Sequence, residues 1–276
     1  LITTFTAPSS TLNFYNNSFY QKLLPTVTFR NNSPSIFTKL KKHQTMKKLC
    51  IAFASLFAIG FANAQAVDEV IDKHIEALGG KEKIEKIQNV VMEGSLTVQG
   101  MQIAVTTTVV HNKLMRNDIN VGGMKNFDMT TDKDGWVFFT FQGMQKPEPK
   151  TAEDVKESQS DLDLNGTLYN YAAKGHKVEL LGKEDVEGTE CFKIKATLAS
   201  GKEETYFIDP ASYMLVRSKS KKKVNGQEME LTVDMSDYKE VDGVKMAHSV
   251  TQQMGTIIIS SIKANQPIDE KLFKHE

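Results

Sequence analysis

Between residues 67 and 78 apolar side chains recur every three or four positions. Val67, Val70, Ile71, His74, Ile75 and Leu78 share one face, and Asp68, Glu69, Asp72, Lys73 and Glu76 take the other. That period predicts an amphipathic helix, and Gly79-Gly80 supplies the positive φ that ends one. A shorter helical stretch from Lys81 to Ile87 repeats the pattern with Ile84 and Ile87. His74, on the apolar stripe, reads as a packed core histidine before it reads as a ligand.

From Val90 onward the period drops to two, and turn signals recur along the chain: Gln99-Gly100, Gly122-Gly123, Asp134-Gly135, Glu187-Gly188, Ser200-Gly201, Asp209-Pro210, Asn225-Gly226, Asp242-Gly243 and Gly255. Such spacing predicts consecutive antiparallel hairpins, with Asn225-Gly226 the strongest turn because a two-residue type I′ loop needs positive φ twice. Met229, Leu231, Val233 and Met235 alternate with Glu228, Glu230, Thr232 and Asp234, which predicts a strand with one wet side. Two runs, Trp136–Phe141 and Gly255–Ile262, are apolar on both faces and predict strands covered on two sides. Alternation fails between about 144 and 175, where Pro147 and Pro149 exclude a central strand and Thr151 is placed to cap a short helix from Ala152. The reading is a mainly β, α+β domain: a helix, about five strands, a helical insert and about seven more strands, enough to curl a single sheet.

Composition adds a destination. The stretch from Met46 to Ala64 joins Lys47 and Lys48 to an apolar run and ends in Ala62-Asn63-Ala64, the signature of a cleaved export signal. Cleavage after Ala64 would leave Gln65 first, in a single domain over 65–276. Residues 1–45 hold no Met and no acidic residue and read as an untranslated upstream extension. The run is too short to span a bilayer, and Cys50 lacks the preceding apolar stretch of a lipidated cysteine, so the product is read as released, not lipid-anchored. Of 34 basic residues, seven lie before residue 65 and none of the 34 acidic ones do, which leaves 27 against 34, a net charge of −7. That sign excludes a nucleic-acid partner. Cys191 alone remains of the two cysteines, so no internal disulfide can hold the fold.

Catalytic and metal signatures are missing from the sequence: His74, His111, His176, His248 and His275 are scattered, and no H-E-x-x-H, G-x-S-x-G, P-loop or paired-cysteine motif occurs. No cofactor is expected. A triad assembled only in three dimensions stays open. The run S-K-S-K-K-K-V reads as a solvated hairpin whose lysines blunt edge pairing. Methionine is abundant, with eleven of twelve after residue 64. Thioethers adapt to irregular apolar shapes, so either core filling or a cavity for variable chains would use them.

The order of A-L-G-G-K-E-K-I-E-K-I, K-L-M-R, D-K-D-G-W, Y-F-I-D-P-A-S-Y-M-L-V, D-Y-K-E-V-D-G-V-K-M-A-H-S and N-Q-P-I-D-E-K-L-F resembles the LolA/LolB-like superfamily of lipoprotein carriers, above all its outer-membrane lipoprotein-sorting-protein-like branch. The resemblance spans nearly all of 66–276. It implies a curved, half-open antiparallel barrel of about 11–12 strands, closed by an N-terminal helix and a helical lid insert, around a cavity for acyl chains. Trp136 would line the hollow, with Phe138, Phe139, Met101, Met115, Met129, Met229 and Leu231 as further apolar candidates and His111 and Arg116 as polar rim. The carrier's functional arginine aligns with His111-Asn112-Lys113 and not with Arg116, a departure that touches its release step. Three readings follow: a soluble, monomeric carrier in the periplasm of a Gram-negative bacterium, serving lipoprotein or lipid acyl chains and lipoprotein-handling proteins of the two membranes; a non-catalytic envelope structural or adhesin-like β module with a solid core; and an exported hydrolase.

Overall fold

The amphipathic stretch forms helix α1 through 66–78, with its six stripe residues at most 6% exposed. The computed structural model describes residues 66–275 apart from 99, 225 and 226, and gives backbone pairing alone for 222–224 and 227. The expected export signal, the upstream 1–45 segment, Gln65, Gln99 and the Asn225-Gly226 turn lie outside the described residues. Gly79 and Gly80 end α1 at φ 132° and 87°. A Cβ on Gly79 would run into the Gly243 carbonyl, so only glycine lets the helix end rest on that turn. Helix α2 (Lys81–Lys86) follows, with Ile84 fully buried.

The alternating stretches form β1 (Asn89–Val98), β2 (Met101–Val110), β3 (Leu114–Val121), β4 (Met124–Thr131), β5 (Gly135–Phe138) and β6 (Glu148–Pro149). Helix α3 (Ala152–Ser158) opens the insert, and β7 (Lys177–Val186), β8 (Thr189–Thr197), β9 (Glu203–Ile208), β10 (Leu215–Val224), β11 (Gln227–Val241), β12 (Val244–Gln252) and β13 (Gly255–Ala264) complete the chain. All thirteen belong to one open, curved antiparallel sheet in the order β6-β5-β4-β3-β2-β1-β13-β12-β11-β10-β9-β8-β7. Every ladder joins sequence neighbours except that of β1 with β13, which links the two halves with a bulge between Glu93 and Gly94, and β6 and β7 form the two edges.

One strand more than expected appears because β6, two residues long and holding Pro149, sits at the edge where a missing N–H costs nothing. The insert is helical only over 152–162, as α3 plus a 3-10 turn, and irregular from there to β7. The doubly covered reading of β13 does not hold: Ile257 and Ile259 are buried while Ile258 between them is 54% exposed. One face of the sheet, here called inner, packs against α1, α2 and the insert in a continuous apolar cluster that includes Val90, Met92, Val109, Met115, Ile194, Tyr206, Val233 and Met246.

Candidate functional site

The insert crosses the inner face and is its most irregular cover. Thr151 caps α3 as expected, its hydroxyl accepting from the Asp154 amide at 3.1 Å. Beyond α3, Leu162, Leu164, Leu168 and Tyr169 enter the inner-face cluster beside Ile194, Ala196 and Tyr206. Polar contacts pin the segment at both ends. The Asn112 amide donates to the Leu162 carbonyl at 2.8 Å, the Leu164 amide to His111 Nδ1 at 3.2 Å and the Gln159 amide group to the Thr131 carbonyl at 3.0 Å. At the other end Tyr169 and Tyr171 donate to Glu85 and Asp68, tying the insert to α2 and α1.

Where α3 passes the β8–β9 turn and the β10–β11 hairpin it leaves a cleft of about 400 Å³, within the size range of small-ligand sites. Its mouth is charged with both signs, from Glu153, Lys156, Glu157, Glu203, Lys221 and Glu228, while Leu231 leads inward toward buried Val233. Below lies a buried ionic group. Glu204 accepts from Tyr206, from Thr167 of the insert at 3.0 Å and from Lys202 at 3.0 Å, and Lys202 also reaches Ser160 at 3.3 Å. Burial alone would raise the Glu204 carboxyl, but the Lys202 charge and the hydroxyl donors hold it below its ordinary value. Burial would lower the Lys202 ammonium, yet Asp161 and Glu204 raise it. Both groups therefore stay charged and tie the insert to β9.

A second fastening lies under α1. His74, 1% exposed, meets the Tyr213 carbonyl through Nδ1 at 2.7 Å. A carbonyl only accepts, so Nδ1 carries a proton, and burial keeps the rest of the ring from taking a second one. Desolvation lowers its pKa to about 4, against the partial support of that bond. Tyr213 can offer the carbonyl because it sits at φ 56° in a turn organised by Asp209, whose carboxylate accepts from the Ala211 and Ser212 amides at 3.2 and 3.0 Å.

The ten residues singled out in the sequence do not gather in one place. Met115 joins the inner-face cluster, Leu231 lines the cleft and Met229 is 41% exposed beyond it. Met101 is 58% exposed at a hairpin tip, and Phe139 is fully buried against Phe141 with centroids 5.4 Å apart. Trp136, Phe138 and Met129 lie on the opposite, outer face. Pairing sets Trp136 beside Met129 and Phe138 beside Phe127, and these form a small cluster with Leu114 and Leu272. The C-terminal segment, with a 3-10 turn over Glu270–Phe273, straps this patch, and the His275 ring meets the indole edge-on at 3.5 Å. Arg116 is the buckle: it holds Asp118 at 3.0 Å, donates to the carbonyls of Leu272 and Lys274 at 3.3 and 3.0 Å, and lies 4.3 Å over the Phe127 ring. His111 sits in the β2–β3 turn, 3.7 Å from Asp163 of the insert.

Sequence reasoning missed Glu204, Lys202, Tyr206 and Thr167. The available signal was an acid on an apolar face, since Glu204 shares its side of β9 with Tyr206 and Ile208. The basic hairpin is laced with acids: Arg217 pairs with Asp234, Lys219 with Glu230 at 3.5 Å and Lys221 with Glu228 at 3.4 Å. Cys191 is buried with Val186 and Phe207, and burial pushes its thiol up. Among the described residues no three His, Cys, Asp or Glu side chains come together as a metal site, and no helix is long and apolar enough to cross a membrane.

The site is thus the inner face of an open antiparallel sheet covered by helices and the insert, with a cleft at the insert's edge. Among solved structures the chain is similar to a DUF1329 family protein from Desulfovibrio piger (16% identity, 76% of this chain and 97% of that one, TM-score 0.47). It is similar as well to a LolA superfamily protein from Nitrosomonas europaea (12%, 72% and 96%, 0.46) and to a domain described as an outer membrane lipoprotein-sorting protein from Vibrio parahaemolyticus (14%, 73% and 95%, 0.45). No family model and no curated protein matches the sequence.

Proposed function

We propose that this chain is an exported, periplasmic carrier of lipid or lipoprotein acyl chains, monomeric and without covalent chemistry of its own. In this reading residues 46–64 direct export and are removed after Ala64, and lipoprotein-handling proteins of the two membranes load and unload the cargo. One observation carries it: the insert lays Leu162, Leu164, Leu168 and Tyr169 along the inner face of the sheet, and a cleft already opens at its edge beside Leu231. The insert thus occupies the trough as an acyl chain would, and its anchors are polar contacts that can be exchanged with water. Each methylene moved from water to that trough contributes about 0.8 kcal/mol, so a chain of ordinary length can compete with four side chains. A plug that must be displaced keeps affinity moderate, which a carrier needs for release.

The continuous packing of the same inner face favours a second reading, a solid β module that takes no cargo. Native mass spectrometry of the protein purified from an envelope extract separates them. The carrier predicts adducts with phospholipid or acylated-peptide masses that disappear on delipidation. A bare polypeptide mass, unchanged after addition of excess lysophospholipid, would leave only the solid module.

A further inference from the structure

Five of the large apolar side chains left exposed by the fold, Met101, Met124, Phe141, Met229 and Met254, stand near ends of strands on one edge of the sheet. Four of them are flush neighbours: Phe141 beyond β5, Met124 in the β3–β4 hairpin, Met101 in β1–β2 and Met254 in β12–β13, exposed by 44, 46, 58 and 42%. The register makes them level. Ala104 opposite Asn120 sets Met101 at the height of the Gly122-Gly123 turn, and Leu96 opposite Ile257 brings Met254 to the height of the β1–β2 tip. Neighbouring hairpin tips are two strand spacings apart, roughly 10 Å, so the row is a line of separate apolar knobs and not a continuous patch.

Charge divides the same strands end from end. The connections 98–101, 121–125, 139–147 and 252–256 contain no Asp or Glu and carry Lys125 and Lys146. At the opposite ends the turns hold Asp132, Asp134 and Asp242 against Lys113 and Lys133. In a segment, 65–276, with 27 basic and 34 acidic residues, these four connections form a locally basic stretch, which an anionic surface attracts. Met101 and Met124 also belong to the inner-face side of their strands, as the partners of Val98 and Val121, so the row borders the trough.

We propose that this edge is a membrane-docking rim, with Met101, Met124, Met254 and Phe141 entering the interfacial layer of a phospholipid bilayer. Spaced, unbranched and adaptable side chains suit a fluid surface, which closes around each knob, better than a protein partner that must match their relief. The inference deepens the carrier reading by naming the surface at which cargo would be exchanged, but it is tested without cargo. Cosedimentation with vesicles of phosphatidylcholine and phosphatidylglycerol in equal parts should retain the full protein. The triple substitution Met101→Gln, Met124→Gln, Met254→Gln should weaken that binding roughly tenfold or more, and Met→Leu at the same three positions should preserve it. All three sites are exposed, so an unchanged thermal midpoint confirms that the variants fold. Wild-type protein left in the supernatant, or a glutamine variant that binds as well as wild type, overturns the rim. Vesicle binding with no acyl adducts in native mass spectrometry would keep the rim and remove the carrier, and adducts without vesicle binding would do the reverse.

Discussion

A histidine on the apolar stripe of a helix has to be neutral, and His74 is kept so by its surroundings. Above pH 6.5 it is neutral folded or unfolded and has no effect on the balance. As pH falls from 6.5 toward the folded value of about 4, the unfolded chain binds a proton that the native ring refuses, so stability drops by about 1.4 kcal/mol per unit and by about 3 kcal/mol in all. Urea unfolding at pH 7 and pH 5 should therefore show wild type losing about 2 kcal/mol more than His74→Gln, whose amide can still donate to the Tyr213 carbonyl but does not titrate. Equal losses would mean that His74 is protonated in the native state. The helical period made the burial of His74 legible. Its acceptor was not, because the carbonyl that receives the proton is 139 residues away and is turned toward α1 only by the left-handed backbone of Tyr213. Glu204 stands between these cases. Strand alternation places it inward, but Lys202 comes from a turn and Thr167 from the insert, and only the fold brings them to it.

At the scale of elements, hairpin periodicity carried most of the architecture and stopped where segments have no period. The stretch Asn265–Phe273 has none, so the strap over β3, β4 and β5 could not be foreseen, and with it went the correct face for Trp136. Alternation says that Trp136 and Phe138 share a side opposite Val137. It does not say which side is inward, and the apolar cover that the run calls for is supplied on one of them by Leu272 and His275. Arg116 holds this arrangement by carbonyls that any sequence offers, which is why its partners leave no trace in the sequence. Arg116→Ala should release the strap: the emission of the single tryptophan shifts to the red and becomes more open to acrylamide, at a cost of about 1 to 2 kcal/mol in stability. An unshifted emission would show that the aromatic contacts hold the strap without the guanidinium. In either case Trp136 reports on the outer face, so a brominated acyl chain in the trough is a poor quencher of it.

Taken whole, the molecule is a curved sheet whose two halves pair along β1 and β13, and whose inner face is covered by α1, α2 and the insert. Helix α1 is regular, sealed by His74 and backed by the Gly79 contact with the β11–β12 turn. The insert has about two turns of α-helix and a longer irregular run, fastened by Lys202, Glu204, Thr167, Tyr169 and the β2–β3 turn. Irregular backbone with few ladder bonds opens at lower free energy than the strands beneath it. Hydrogen exchange should therefore find the amides of 163–175 less protected than those of β8, β9 and β12. Lysophospholipid at saturating concentration should speed exchange in 152–175 further, because a guest in the trough expels Leu162, Leu164 and Leu168, while the amides of α1 keep their protection. Faster exchange in α1 instead would move the entrance to the helix side of the sheet. An insert as protected as the strands, with or without lipid, would mean that the cover does not open and that the sheet has no room for a guest.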